Sequence, residues 1–148
     1  MNKPKRIGTA AESAVRNFLV GEGWGECHRV AQTGAKDQGD LLICDKPFRV
    51  IAECKAGAMA ESASAALIDA WLDQTLAEKI HAAAAIGVLV VRRYRRNVSA
   101  WDVYLPLKDL VWLEMGQWGG SNIPVRLSLA DFSELLQFAV DEHEAGER

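Results

Sequence analysis

Two short apolar runs separated by a three-residue turn constrain the fold of this chain more than any other feature. The first run is Leu41–Cys44 and the second covers residues 48–52. Residues 45–47 between them read Asp-Lys-Pro, and proline favours a turn because its ring fixes φ and it has no N–H to donate to a strand ladder. The pattern predicts an antiparallel hairpin of two buried strands.

The hairpin predicts which residues face each other. If Cys44 lies opposite Arg49, the same register places Asp40 opposite Glu53. Directly opposed residues in an antiparallel pair have Cβ atoms about 4.5–5.5 Å apart. The sequence therefore predicts that two carboxylates meet at the open end of the hairpin.

The open end of the hairpin carries groups that suit a hard divalent cation. Glu53 and Lys55 share one face of their strand, because successive strand residues alternate faces and Cys54 points the other way. Asp40 and Glu53 would supply two oxygen ligands, and the backbone carbonyl of Cys54 could supply a third. A cation held there lowers the pKa of a bound water and stabilises charge on a phosphate. Lys55 would orient or help deprotonate that water, or neutralise the phosphate, so the pattern favours a metal-dependent DNA nuclease.

The spacing of these residues resembles a known nuclease motif. Asp40 followed by Glu53-Cys54-Lys55 is similar to the PD-(D/E)xK motif of restriction-endonuclease-like nucleases, with Gly39 in place of the proline. The chain from Lys5 to Lys55 resembles the N-terminal half of archaeal-type Holliday junction resolvases. The segments that carry this resemblance are 6–12 (RIGTAAE), 18–19 (FL), 21–24 (GEGW), 28–31 (HRVA) and 33–34 (TG).

The resemblance implies a fold, a site and a cofactor. The fold class is α/β, with a restriction-endonuclease-like mixed β-sheet core flanked by helices. Asp40 and Glu53 would be metal ligands, Glu12 an additional helical carboxylate of the same site, and Lys55 the catalytic lysine. Thr33 stands where the resolvases usually have a serine thought to contact the scissile region, and it retains the hydroxyl. The cofactor would be Mg²⁺ or Mn²⁺.

Two further polar residues are alternatives or additions to this site. Asp37 lies three residues before Asp40 and competes with it for the metal position. Asp40 is favoured because it adjoins the strand and pairs with Glu53, whereas Asp37 is interpreted as a loop residue. Gln74 lies on the second predicted helix, where many nucleases of this superfamily carry a glutamine, but a polar surface glutamine is the favoured interpretation.

The net charge of −3 is unevenly distributed along the chain. Residues 1–55 carry nine Lys or Arg and seven Asp or Glu, residues 56–100 carry five and four, and residues 101–148 carry three and nine. The acidic excess therefore lies away from the hairpin in sequence, and this distribution leaves room for a basic face beside it. The residues predicted to contact DNA phosphates are Arg6 and the run Arg92, Arg93, Arg95 and Arg96 at a strand end.

The remaining elements follow from periodicity and turn residues. Helices are predicted over 7–22 and 61–83, and the second should bury Ile68, Leu72, Leu76 and Ile80. A buried strand over 86–91 follows this helix and should run parallel to the second hairpin strand. Further strands are predicted over 25–31, 101–105 and 125–129, and residues 106–120 are expected to be irregular. A last helix, capped by Asp131 with Glu134, should run to residue 140 and precede a frayed polar tail.

Length and composition agree with one nuclease domain over residues 1–148. No apolar stretch approaches the length of a membrane span, and no apolar segment follows the charged residues 1–6, so we expect no secretory signal. Three scattered cysteines predict neither a disulfide framework nor a zinc site, and a cytoplasmic, prokaryotic or phage-encoded protein is expected.

The sequence thus predicts a structure-specific endonuclease that resolves four-way junctions. Branched DNA is the expected partner, and the resemblance implies a homodimer with no membrane association. The alternatives are a related nuclease with a restriction, repair or flap-type DNA target, because specificity lies outside the motif, and a DNA-binding relative that has lost catalysis.

Overall fold

The apolar runs of the sequence assemble into one mixed β-sheet. The computed structural model describes residues 2–31 and 36–146. The strands lie in sequence order, with β3 and β4 parallel and each other neighbouring pair of described strands antiparallel. The strands are β1 (His28–Arg29), β2 (Leu41–Cys44), β3 (Val50–Lys55), β4 (Ile86–Val91), β5 (Asp102–Pro106) and β6 (Pro124–Ser128).

Helices connect and cover these strands. The helices are α1 (Lys3–Gly21), α2 (Ala58–Glu61), α3 (Ala65–His81), α4 (Leu107–Met115) and α5 (Leu129–Glu144), with a short 3₁₀ helix at Val98–Ala100. Side chains cap three of the described α-helices, since Asn2, Ser64 and Ser128 each accept a hydrogen bond from a backbone N–H in the first turn. The long connection through α2 and α3 allows β3 and β4 to pair in parallel, as the sequence predicts.

The sheet separates two apolar cores. The larger core packs α1, α4 and α5 against one face, and Trp24 within it donates a hydrogen bond from Nε1 to Oγ of Ser133 at 2.9 Å. The smaller core packs α3 against Leu89 and Val91 on the other face. Glu53 and Lys55 belong to β3, which lies in the sheet between these cores, so the buried centre of the fold fixes the position of their backbone.

The predicted hairpin register is confirmed for the strand pairs nearest the open end of the hairpin. Leu41 pairs with Ala52 and Leu42 with Ile51, as predicted. Next to the turn the prediction is wrong, because Cys44 pairs with Val50 and not with Arg49 across an irregularity in the ladder. The one-residue shift in the pairing lies near the turn, between Leu42 and Cys44, so the pairs at the open end keep the predicted register.

The segment 106–120 was expected to be irregular, and that expectation is wrong. Residues 107–115 form α4, which begins directly after Pro106 and ends at Gly116 in the left-handed conformation, with φ of 69°. Proline and glycine are ordinary residues at these two helix boundaries. They mark the two ends of α4 within the segment that was predicted to be irregular.

Several predicted boundaries and one buried face also differ from the structure. The predicted helix 61–83 is the shorter α3, Ala65–His81, and the one-turn α2 precedes it. On α3, Ile80 is 76% exposed whereas Thr75 and Glu78 are buried. The last helix begins at Leu129 with Ser128 as its cap, and it continues to Glu144, through much of the tail predicted to be frayed. No helix among the described residues has the length and apolar character needed to cross a membrane.

Candidate active site

Asp40 is fixed against the end of β3 by two hydrogen bonds. Its N–H donates to the carbonyl of Ala52 at 3.0 Å, and its Oδ2 accepts from the N–H of Cys54 at 2.8 Å. Because the N–H and C=O of one strand residue point toward the same neighbouring strand, the carbonyl of Cys54 also faces Asp40. The structure therefore fixes the Asp40 carboxylate against the backbone of Cys54 at the end of the hairpin.

Glu12 approaches Asp40 from helix α1. Its Oε2 lies 2.9 Å from Nη2 of Arg29. Burial, and then the charge of Asp40, raises the pKa of Glu12 to about 7, although Arg29 opposes the shift. The two carboxyl groups open onto a cleft of about 450 Å³, which is lined by Lys5, Gly8, Thr9, Glu12, Arg29, Val30 and Asp40.

Glu53 and Lys55 lie together on the α3 face of β3. Nζ of Lys55 is 3.6 Å from Oε1 of Glu53 and 5.7 Å from the ring centroid of Trp71. Glu53 is only 5% exposed. Burial is the main cause that raises the pKa of Glu53 to about 10, and contact with Glu78 and the charge of Asp40 add to it. The influence of Asp40 on both Glu12 and Glu53 links the two halves of the site electrostatically.

Glu78 on α3 lies close to Glu53, and the sequence did not predict it as a residue of the site. Carboxylate oxygens of Asp37, Glu53 and Glu78 all lie within 4.8 Å of one another. Oε1 of Glu78 accepts a hydrogen bond from Nε2 of Gln74 at 2.9 Å. Burial raises the pKa of Glu78 above its ordinary value. Gln74 is on the surface, as predicted, and it nevertheless contacts the cluster through Glu78.

One signal in the sequence could have identified Glu78. It follows Gln74 by four residues, so both project from the same side of α3. The predicted core face included Ile80 and thereby assigned Glu78 to the solvent side. In the structure, the buried face of α3 is rotated to include Thr75 and Glu78.

The basic residues predicted to contact DNA differ in their surroundings. Arg6, Arg95 and Arg96 are exposed, and the guanidinium of Arg92 lies 5.7 Å from the ring centroid of Trp101. Arg93 instead makes internal contacts: its guanidinium pairs with Asp102 and donates to the hydroxyl of Tyr104 and the carbonyl of Ala60. Thr33 lies outside the described residues.

The donor atoms of this site fit a hard divalent cation. The atoms are carboxylate oxygens of Glu12, Asp40 and Glu53 and the carbonyl oxygen of Cys54, which are the ligands that Mg²⁺ and Mn²⁺ prefer. Oε2 of Glu53 is buried and has no hydrogen-bond partner in the described part of the chain. Burial, with the charge of Asp40 added to it, raises the pKa values of Glu12 and Glu53, and a cation among these oxygens would oppose both causes by favouring the charged carboxylates.

The strand order, the parallel β3–β4 pair and the flanking helices define a mixed-sheet α/β fold. Among solved structures, the chain is similar to Hjc, a Holliday junction resolvase from the archaeal hyperthermophile Archaeoglobus fulgidus. The TM-score is 0.51 at 18% identity, and the match covers 85% of this chain and 99% of that chain. No protein-family model matches the chain, and no curated protein matches it. At this identity the likeness confirms the predicted resemblance for the fold alone.

Proposed function

We propose that this chain is a metal-dependent, structure-specific DNA endonuclease that resolves four-way junctions, with residues 1–148 forming one nuclease domain. The observation that carries the proposal is the meeting of Asp40 and the Cys54 backbone at the end of β3, the strand that also bears Glu53 and Lys55. The fold shared with a junction resolvase supports the same conclusion.

Four groups of this chain would hold the cofactor. They are the carboxylates of Glu12, Asp40 and Glu53 and the carbonyl of Cys54. When bound, Mg²⁺ or Mn²⁺ lowers the pKa of a coordinated water and stabilises negative charge on the scissile phosphate. The hydrogen bond from the Cys54 N–H orients the Asp40 carboxylate, and the ion pair with Arg29 orients Glu12. The ligands are therefore held in place by contacts within the protein.

Lys55 would act on the water or the phosphate. Its ammonium group lies 3.6 Å from Glu53 and is packed 5.7 Å from the ring centroid of Trp71, which limits the positions it can occupy. In those positions it can donate a hydrogen bond to the attacking water or to a phosphate oxygen. Its charge also offsets the repulsion between the acidic ligands.

The DNA backbone would contact basic residues around the site. Lys5 lines the cleft beside Glu12, and Arg6 is exposed on the same helix. β4 ends beside β3, and the N–H of Arg92 donates to the carbonyl of Lys55 at 2.9 Å. The run from Arg92 through Arg95 and Arg96 thus begins next to the proposed catalytic lysine, while Arg93 holds the run to β5 through Asp102.

A cleavage assay tests the nuclease proposal. The protein is incubated with Mg²⁺ and labelled four-way junctions, flaps, linear duplex or single strands, with EDTA as the control. We expect cleavage of junctions, and its loss in Asp40→Ala and Glu53→Ala proteins that still bind DNA. Efficient cleavage of another DNA shape would assign a repair, flap or restriction target instead. Metal-independent binding without cleavage of any substrate would identify a DNA-binding relative that has lost catalysis.

Junction resolution requires two symmetric nicks, and one chain contributes one proposed site. A two-fold homodimer matches the symmetry of the substrate, so we propose that the active species is a dimer. Sedimentation, combined with mapping of nicks on all four strands, tests this. Paired nicks on two opposed strands by a dimer are expected, and a monomer that cuts linear duplex as readily as junctions would refute the assignment to junction resolution.

A further inference from the structure

A second acidic cluster adjoins the proposed catalytic site on the α3 side of β3. It consists of Asp37, Glu53 and Glu78, whose carboxylate oxygens lie within 4.8 Å of one another. Asp37 is held by contacts at both its carboxylate and its carbonyl. Its Oδ1 accepts from the N–H of Gly39 at 2.9 Å, and its carbonyl oxygen lies 3.0 Å from Nδ1 of His81. The cluster is thus built from three separate elements of the fold.

Two carboxylates of this cluster are buried, and one oxygen of each has no donor among the described residues. Glu53 is 5% exposed and Glu78 is 2% exposed, and Oε2 of each has no hydrogen-bond partner among the residues that the structure describes. Gln74 donates to the other oxygen of Glu78, and the ammonium of Lys55 lies 3.6 Å from the other oxygen of Glu53. The charge of Lys55 offsets only part of the charge of the three acidic groups, and burial of unpaired carboxylates is costly unless a cation or proton accompanies them.

We propose that Asp37, Glu53 and Glu78 form a second binding position for a hard divalent cation, Mg²⁺ or Mn²⁺. This position is distinct from the one assigned to Glu12, Asp40 and the Cys54 carbonyl, and Glu53 belongs to both. The inference rests on the proposed function in that it shares Glu53 with the catalytic site. One carboxylate would then serve two neighbouring cations, an arrangement that suits two-metal cleavage of a phosphodiester.

Counting bound Mn²⁺ tests the second position without measuring cleavage. Electron paramagnetic resonance of free Mn²⁺ during a titration gives the number of ions bound per chain. The wild-type protein should bind two. Glu78→Gln should bind one fewer, and its amide can donate to Oε2 of Glu53, so the fold should be kept. Asp73→Asn removes the same charge from an exposed site on the same helix and should leave the number unchanged.

A second variant and a stability measurement keep the inference falsifiable if Glu78→Gln does not fold. Asp37→Asn approaches the cluster from the loop before β2 and should also lose one Mn²⁺ and part of the rise in Tm that Mn²⁺ gives the wild type. If both variants fold and each binds as many Mn²⁺ ions as the wild type, the second position is overturned. If only one variant folds, the same result in that variant also overturns it.

The failure of this inference and that of the proposed function give different results. One result would overturn only the second position: the protein cleaves junctions and binds one Mn²⁺, which is lost in Asp40→Asn and kept in Glu78→Gln. The proposed nuclease function would then still hold. Two Mn²⁺ per chain, one of them dependent on Glu78, without cleavage of any DNA would overturn the nuclease and support the cation position.

Discussion

Lys79 is expected to stabilise the protein by neutralising a carboxylate that the fold buries completely. Asp109 of α4 is 0% exposed, and neither of its carboxylate oxygens has a hydrogen-bond partner within the described chain. Nζ of Lys79 on α3 lies 3.7 Å from Oδ2 of Asp109 and 6.0 Å from the ring centroid of Trp118. Lys79→Met keeps the length of the side chain and its packing on the sheet but removes the charge.

The size of the effect follows from the distance between the two charges. At 3.7 Å, and with an effective dielectric constant of about 20, they attract by about 4.5 kcal/mol. Lys79 is 18% exposed and keeps part of its hydration, and Asp109 can take up a proton when its partner is lost. We therefore expect Lys79→Met to lower the free energy of unfolding by about 3 kcal/mol at neutral pH.

The loss should depend on pH. Burial raises the pKa of Asp109 above its ordinary value, and Lys79 opposes that shift. A raised pKa means that the carboxyl group stabilises the fold most at pH values below its ordinary pKa, and that this stability is lost as pH rises through the raised pKa. Without Lys79 the pKa of Asp109 rises further, so the difference between variant and wild type should be larger in alkaline than in acidic buffer.

Urea unfolding at about pH 4 and about pH 8 measures this difference. Lys46→Met, at an exposed lysine beside the hairpin turn, is the matched control and should cost little at either pH. The double variant Lys79→Met with Asp109→Asn should recover part of the loss, because it leaves no buried charge. An equal loss at both pH values, or a loss no larger than that of the control, would refute this account of the pair.

Three further outcomes are expected. Lys55→Ala should slow junction cleavage by at least about 100-fold with an unchanged Kd for the junction, measured under single-turnover conditions; an unchanged cleavage rate would remove Lys55 from the mechanism. Replacing Arg92, Arg95 or Arg96 with Gln should reduce the magnitude of the slope of log binding constant against log salt by about 0.9 per substitution, for every DNA shape. An unchanged slope would show that these arginines are solvated and do not contact phosphates. Arg93→Gln should instead lower Tm, because its guanidinium is used in contacts with Asp102 and Tyr104; an unchanged Tm with weaker DNA binding would contradict that role.

The sequence predicted those parts of the fold that depend on local pattern. Strand β4 begins and ends where its unbroken apolar run does, at Ile86 and Val91. The open end of the hairpin has the predicted register because Leu41 and Ala52 both belong to buried runs. A one-residue slip there would have turned every side chain to the opposite face, so the position of Asp40 beside β3 was readable from the sequence.

Other features depended on partners that are distant in sequence. Pro106 and Gly116 are equally compatible with a loop and with the two ends of a helix, and the packing of α4 in the larger core decides between them. The burial of Glu78 follows from the rotation of α3 on the sheet, which its alanine-rich sequence leaves open. The pairing of Arg93 with Asp102 joins the segment after β4 to the start of β5, and a run of arginines does not reveal which one turns inward.

Strand β4 has a consequence for how the geometry of the proposed site should be lost. All six of its residues are buried, and its partner residues in β3 include Glu53 and Lys55. Amides in such a strand exchange with solvent only when the whole domain opens, whereas frayed ends exchange through small local motions. In hydrogen-exchange measurements, the backbone of Glu53 and Lys55 should therefore be among the slowest positions of the chain. Partial unfolding at the periphery should spare these two residues, and their geometry should be lost in the same step as the fold itself.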